Sequence, residues 1–110
     1  METKDKENKT FALRKTMFQG ATMLNICDMN LVGRIINKSD FEINISKEFF
    51  LDEAISENEA KKLLKSSSIM NLVGENIVNL AITLKLAKSN SVKVFDNIPF
   101  LMIFNFVGNY

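Results

Sequence analysis

The sequence predicts a single α+β domain in which a mostly antiparallel sheet of four to five strands packs against two helices. Three observations favour this fold class. Runs of β-compatible residues separated by turn residues occur towards both ends of the chain, a helix-start signal lies near its centre, and 46% of the 110 residues are hydrophobic. A chain of this length can bury one core without disulfides.

The N-terminal part predicts a tail followed by a hairpin. Residues 1–10 are rich in Lys, Glu and Asn without apolar periodicity, so we expect a mobile tail there and a domain spanning residues 11–110. Residues 11–18 and 21–28 are β-compatible, and a Gln-Gly pair separates them. Glycine readily takes the positive φ that a two-residue turn requires, which indicates an opening β-hairpin.

Further strands are predicted downstream. Apolar and polar side chains alternate through residues 41–46, which indicates a strand with one buried face. Residues 91–95 have the pattern of a short strand. Residues 100–107 form an apolar run typical of a strand covered on both faces, or of an interface strand in a homodimer. Pro99 lacks an amide donor and therefore belongs to the first residues of this last strand or to an edge.

Two helices are predicted between these strands. Ser56 and Glu59 have the spacing of a capping box, so a helix should start there with its lysines facing solvent. Apolar residues then recur at spacings of three and four from Ile69 to Leu84, which predicts a second, more buried helix. Gly74 falls inside that helix, where glycine costs about 1 kcal/mol relative to alanine, so we expect a tight contact there.

The apolar faces of these elements define the expected core. Its members are Ile43, Ile45, Leu63, Leu64, Ile77, Leu80, Ala81, Leu84, Phe100 and Met102. Gly33 and Gly74 are expected where φ is positive or where a Cβ would clash. Cys27 is the single cysteine, and we expect it to fill space in the core. Asp28 follows an apolar run and is expected to turn the chain by bonding its own backbone.

The residues offer little support for catalysis. The chain contains no His, which removes the usual general base near neutral pH, the commonest metal ligand and every Ser-His or Cys-His nucleophile. Its glycines form no Walker loop or dinucleotide fingerprint, so no cofactor is expected. Asp52 and Glu53 could pair for acid–base or metal chemistry, but adjacent carboxylates near a helix start are usually solvated. We expect a protein that is not an enzyme.

Composition favours a cytoplasmic location. A single cysteine is typical of a reducing compartment, and the charged first residues lack the apolar core of a secretory signal. No apolar run approaches the roughly 20 residues that span a bilayer, so no membrane partner is expected.

Charge is unevenly distributed although the net charge is only +1. Acidic side chains dominate residues 40–60 and lysines dominate residues 61–95, which predicts one basic end of the domain. The alternative is two solvated helix faces without a partner. The basic residues that could meet phosphates are Lys61, Lys62, Lys65, Lys85 and Lys88, with Arg14, Lys15 and Arg34 as additions.

Three ordered sequence blocks resemble a known family. They are residues 27–33 (CDMNLVG), 45–50 (ISKEFF) and 71–78 (NLVGENIV), and they are similar to the signature blocks of the archaeal domain of unknown function 424 family. The resemblance extends over about residues 17–104. The positions that match the family pattern are Cys27, Asp28, Gly33, Phe49, Phe50, Asn71, Gly74, Glu75 and Pro99.

One block departs from the family pattern. Family members typically carry a Gly-Gly-hydrophobic-Pro-His-Ala-Gln run near the end, whereas residues 96–102 here read DNIPFLM. A role that depends on that histidine or glutamine is not supported by this chain. The resemblance implies an archaeal, cytoplasmic source, and a loose association of the family with translation factors implies contact with RNA or the ribosome.

Two function hypotheses follow. The first is a non-catalytic module that binds RNA or a ribosomal particle through its basic residues. The second is a protein-interaction or homo-oligomeric domain, which would use either the Phe-rich C-terminal strand or Phe49 and Phe50 beside the acidic segment.

Overall fold

The computed structural model describes residues 9–38 and 40–104 and has an α+β fold. A six-stranded mixed sheet carries two helices on one face and a two-stranded hairpin with a short helix on the other. The elements are β1 (Lys9–Phe18), β2 (Ala21–Asp28), β3 (Ile35–Lys38), β4 (Phe41–Asn44), α1 (Lys47–Phe50), β5 (Glu53–Ser56), α2 (Glu57–Ser66), β6 (Ile69–Val73), α3 (Glu75–Thr83), β7 (Lys93–Phe95) and β8 (Ile98–Phe104).

The strand order of the main sheet is β5-β1-β2-β6-β8-β7. Neighbours are antiparallel except for β2 and β6, which run parallel. The prediction of four to five strands and two helices was therefore too low, because β3, β5, β6 and the short helix α1 were missed. The strand predicted in residues 41–46 exists as β4, but it pairs with β3 in a separate two-stranded sheet. The parallel pair places the carboxyl ends of β2 and β6 at the same edge.

The opening hairpin is confirmed. Gln19 and Gly20 have φ values of 51° and 84°, and Phe18 pairs with Ala21 across the turn. Two successive positive φ values give the turn the twist that suits a two-residue hairpin. β1 already begins at Lys9, two residues before the predicted domain boundary, while residues 1–8 of the predicted tail lie outside the described residues.

The first predicted helix is confirmed as α2, including its capping box. Glu59 donates its backbone N–H to the Ser56 hydroxyl (3.2 Å), and Ser56 donates its N–H to the Glu59 carboxylate (2.8 Å). Ala60 and Leu64 are buried, Leu63 is half-buried, and the lysines lie on the outer side. The reciprocal bonds satisfy two N–H groups that a helix start leaves without intrahelical partners.

The second predicted helix is wrong in its first turn. Ile69 to Val73 form the strand β6, and α3 starts only at Glu75. β6 lies between β2 and β8 and is covered on both faces, so four of its five residues are apolar and periodicity cannot separate it from a helix. Gly74 sits just outside the helix with φ 120°, and a Cβ there would overlap the Asp28 carboxyl group. The predicted tight contact is confirmed, although its place in the fold differs.

Two hydrophobic clusters lie on opposite faces of the main sheet. One packs under α2 and α3, and the other, which includes Cys27, lies under the β3–β4 hairpin and α1. Of the predicted core, Ile45, Leu64, Ile77 and Ala81 are buried, and Ile43, Leu63, Leu80, Leu84 and Phe100 are half-buried. Met102 was predicted to be buried but is 43% exposed, since the second cluster reaches along β8 only as far as Phe100.

The turn and the strand start near the C-terminus lie where the sequence predicted them. Pro99 is the second residue of β8, as expected for a residue without an amide donor. Asp96 and Asn97 form the β7–β8 turn with φ values of 53° and 64°, a conformation that these short polar side chains tolerate. The chain therefore forms this turn without glycine. Residues 105–107 of the predicted strand lie outside the described residues.

The end of α3 gives a stability prediction. Lys85 follows the helix with φ 64°, and the N–H groups of Lys85 and Leu86 bond the carbonyls of Ile82 and Ala81. This is the position where glycine is usually found, because a Cβ is strained there. Lys85→Gly is therefore expected to raise the free energy of unfolding by about 1 kcal/mol. Urea denaturation would measure it, with Lys88→Gly as a control at negative φ, where no gain is expected.

Candidate functional site

Four of the family-pattern residues meet at the edge of the sheet where β2 and β6 end. Asp28 closes β2, Gly74 and Glu75 link β6 to α3, and Pro99 opens the antiparallel strand β8 beside them. The Gly74 N–H donates to the Pro99 carbonyl (2.9 Å). Because parallel strands end at one edge, residues far apart in sequence converge there.

Asp28 binds the first turn of α3. It is only 4% exposed, and its two carboxylate oxygens accept hydrogen bonds from the N–H groups of Asn76 (2.9 Å) and Ile77 (3.0 Å). Burial raises the pKa of Asp28, these two backbone bonds oppose the rise, and the charge of Glu75 adds to it. Asp28 thus caps a helix 48 residues away, which corrects the expectation that it bonds its own neighbouring backbone.

A small polar pocket opens beside this cap. It has a volume of about 130 Å³ and is lined by Asp28, Asn30, Leu31, Glu75, Asn76, Asn97, Ile98 and Pro99. The N-terminus of a helix is an anion site in many proteins, but at the start of α3 the Asp28 carboxylate already occupies it. We therefore interpret the hydrogen bonds of Asp28 as a structural contact that holds α3 against β2, and we do not interpret this edge as a phosphate site.

Cys27 fills space in the second hydrophobic cluster, as predicted. Its side chain is fully buried, and burial together with the neighbouring Asp28 charge raises the pKa of the thiol to about 12. A thiol with this pKa carries almost no thiolate at neutral pH and is a poor nucleophile.

Asn71 belongs to a buried amide network that the sequence did not reveal. Asn25 is fully buried and donates to the Thr16 hydroxyl (3.0 Å), while Asn71 donates to the Asn25 carbonyl oxygen (3.3 Å). Phe100 and Met102, which replace the family's histidine and glutamine, lie on this same face of the sheet, where Met102 pairs with Asn71.

Among the remaining family-pattern residues, Gly33 allows an unusual backbone conformation and Phe50 packs in the second cluster. Gly33 has φ 95° with open space around it and donates its N–H to the Ile45 carbonyl (2.6 Å), so its positive φ was correctly predicted. Phe50 is buried in the second cluster, while Phe49 is exposed and meets the Phe50 ring edge-on at 5.2 Å.

A second candidate site is a surface trough along α2, which we call the α2 trough. Two grooves of about 380 Å³ each adjoin there and share Lys15 and Leu63. The first, the carboxylate groove, is lined by Leu13, Lys15, Glu53, Ile55, Glu59, Lys62 and Leu63. The second, the serine groove, is lined by Lys15, Ala21, Thr22, Leu24, Leu63, Ser66, Ser67 and Ser68.

The predicted basic residues do not share one surface. Arg14 and Lys15 are consecutive on β1 and therefore point to opposite faces of the sheet. Arg14 lies 3.7 Å from the Asp52 carboxylate, and Lys61 lies 3.6 Å from that of Glu57. Lys15 and Lys62, by contrast, line the α2 trough, and neither forms an ion pair within residues 9–38 and 40–104.

The other basic side chains are exposed in separate places. Lys65 is exposed in the last turn of α2 and lines neither groove of the trough. Lys85 and Lys88 lie beyond α3, and Arg34 precedes β3, where its backbone carbonyl accepts from the Ile45 N–H.

Several groups at the trough were missed by sequence reasoning. The hydroxyls of Thr22, Ser67 and Ser68 became candidates only when folding brought β1, β5 and α2 together, and the place of Glu53 in this trough was likewise not predicted. The run of three serines was visible in the sequence, but it indicated only a helix end. Asp52 and Glu53 were considered there as a metal or acid–base pair, but the Asp52 carboxylate forms an ion pair with Arg14 instead. The described part of the chain has no metal-binding cluster of His, Cys, Asp or Glu.

The described helices include none that is both long and apolar enough to cross a membrane.

Comparison with known proteins places the chain in a family. The family described as protein of unknown function (DUF424) matches residues 17–106, which confirms the resemblance of the three sequence blocks. The crystal structure of an uncharacterized conserved protein from Methanopyrus kandleri has the same fold, with a TM-score of 0.73 at 17% identity over 91% of this chain and 96% of that one. No curated protein matches the sequence. Since the family match spans most of the chain, this protein belongs to the DUF424 family.

Proposed function

We propose that this protein is a non-catalytic module that binds RNA, free or in a ribosomal particle, in the α2 trough. The observation that supports it is the convergence of Lys15 from β1 and Lys62 from α2 on one continuous surface. Neither lysine is neutralised by a described carboxylate within ion-pair distance, so both ammonium groups are available to phosphates. Arg14 and Lys61 contribute less because acidic side chains already contact them.

The form of the trough suits a single strand. Its floor includes the buried side chains of Leu13, Leu24 and Ile55, and half-buried Leu63 lies between the two grooves. Apolar surface beside lysines and hydroxyls lets a strand place its bases against side chains and its phosphates against donors. A rigid duplex would meet little of this recessed surface.

The double variant Lys15→Gln and Lys62→Gln tests the proposal. We expect weaker binding to unrelated single-stranded RNAs and a salt dependence that is shallower by about 0.7 units of log K per log salt for each lost phosphate contact. Fluorescence anisotropy of a labelled RNA across a salt series measures both. Stability should change by less than about 0.5 kcal/mol, because both side chains are on the surface.

Lys93→Gln is the matched control, since it removes the same charge from exposed β7 at the far end of the sheet. Lys61→Gln should have an intermediate effect because Lys61 is held by Glu57. Equal binding by wild type and the double variant would contradict the proposal.

A second candidate function is association through β8. Met102 and Phe104 lie on the same face of the strand and are 43% and 47% exposed, with the Phe18 ring 5.9 Å from that of Phe104. Exposed neighbouring apolar side chains of this kind are found at protein interfaces. Light scattering on the anisotropy samples discriminates the two functions, because self-association would raise the mass with concentration whether or not RNA is present.

A further inference from the structure

We infer that the α2 trough reads bases that carry an exocyclic amino group, through the carboxylate of Glu53. This inference rests on the proposed RNA-binding function and adds a base preference to it. Its starting point is the uneven chemistry of the two grooves, which share Lys15 but differ in every charged or hydroxyl group around it.

The serine groove is the place for a phosphate. Its lining has Lys15 and no carboxylate, and the hydroxyls of Thr22, Ser67 and Ser68 donate no hydrogen bond to a described residue. The Ser66 hydroxyl donates to the Lys62 carbonyl (3.0 Å), which satisfies one of the carbonyls that the end of α2 would otherwise turn towards an anion. Hydroxyls and a lysine are the usual donors to a nucleic-acid backbone.

The carboxylate groove cannot hold the backbone equally well. Glu53 and Glu59 both line it and would repel a phosphate inside the groove, so the exposed Lys62 would meet a phosphate at the rim of the groove and not within it. The Glu59 carboxylate is occupied by the Ser56 N–H, whereas that of Glu53 is exposed and makes no hydrogen bond or ion pair with a described residue. A phosphate in the serine groove therefore leaves the adjoining carboxylate groove to the base.

The carboxylate selects among bases by its chemistry. An ionised Glu side chain can only accept hydrogen bonds, so it pairs with the amino group of cytosine and is repelled by the carbonyl oxygen that uracil has at the same position. Leu13, Ile55 and Leu63 supply apolar contact to the ring of either pyrimidine. The amino group is thus what distinguishes cytosine from uracil in this groove.

The test compares ten-nucleotide oligocytidylate and oligouridylate, which have the same backbone and charge. Wild type should bind the cytidylate about tenfold more tightly, as expected for one hydrogen bond to a charged acceptor. Glu53→Ala should bring this ratio close to one, mainly by weakening cytidylate binding. Glu48→Ala, which removes one exposed negative charge on α1, should leave the ratio unchanged.

The outcomes separate the inference from the function on which it rests. Binding of both oligonucleotides with equal affinity, in a salt-dependent manner that Lys15→Gln weakens, would overturn the base preference alone. A tenfold ratio that persists in Glu53→Ala would also overturn the role of Glu53. Absence of binding to either oligonucleotide would overturn the proposed function as well.

Discussion

Gly74→Ala is expected to lower the free energy of unfolding by about 3 kcal/mol or more. Two costs combine at this residue. Gly74 has φ 120°, which is strained for any residue with a Cβ, and the added methyl group would lie 2.7 Å and 2.8 Å from the carboxylate oxygens of Asp28. The carboxyl group is fixed by two backbone N–H groups, so it cannot retreat without breaking the cap of α3. Urea denaturation followed by circular dichroism measures the loss.

Gly33→Ala separates the two costs. Gly33 also has a positive φ, 95°, but nothing lies within 4 Å of a Cβ there, so only backbone strain of about 1 kcal/mol is expected. The Gly74→Ala penalty should also shrink in an Asp28→Ala background, where the methyl group has room. Equal losses at the two glycines would show that the contact with Asp28 has little energetic weight.

Local signals predicted the parts of the fold that depend on neighbouring residues. The capping box of Ser56 and Glu59 and the turn at Gln19 and Gly20 need only side chains within a few positions, and both form as expected. Gly33 and Gly74 were expected at a positive φ or where a Cβ would clash, and both have positive φ.

The elements that failed prediction depend on partners distant in sequence. β6 is a strand because β2 and β8 flank it, and its apolar run fits a helix equally well when those partners are unknown. β5 has four residues and becomes regular only beside β1. Asp28 caps α3 across the parallel pair, and no local pattern around Asp28 specifies that contact.

The candidate site shows the same limit. The sequence shows which residues are basic. It does not show that Asp52 neutralises Arg14 or that Lys15 and Lys62 line the same trough, because both facts depend on the tertiary fold. Strand alternation alone could have separated Arg14 from Lys15, since consecutive residues of a strand face opposite sides. That signal was present in the sequence once β1 had been predicted.

Asp28→Ala is expected to destabilise the protein by about 2 kcal/mol, because the N–H groups of Asn76 and Ile77 lose their acceptor in a buried position. Asp28→Asn tests the charge of the same group. It keeps the shape and one acceptor oxygen, so it should fold well enough for stability to be compared with wild type across a pH series.

The raised pKa of Asp28 fixes the direction of the pH effect. A carboxyl group whose pKa is higher in the folded chain binds its proton more tightly there, so its contribution to stability is complete below the ordinary value of 3.8 and is lost as pH rises through the folded value. The difference in unfolding free energy between wild type and Asp28→Asn should therefore fall as pH rises from about 4 and then become constant. Glu75→Gln removes the neighbouring charge that raises the pKa, so the fall should end at lower pH. A difference that instead grows with pH would mean that the two backbone N–H groups outweigh burial and hold the pKa of Asp28 below its ordinary value.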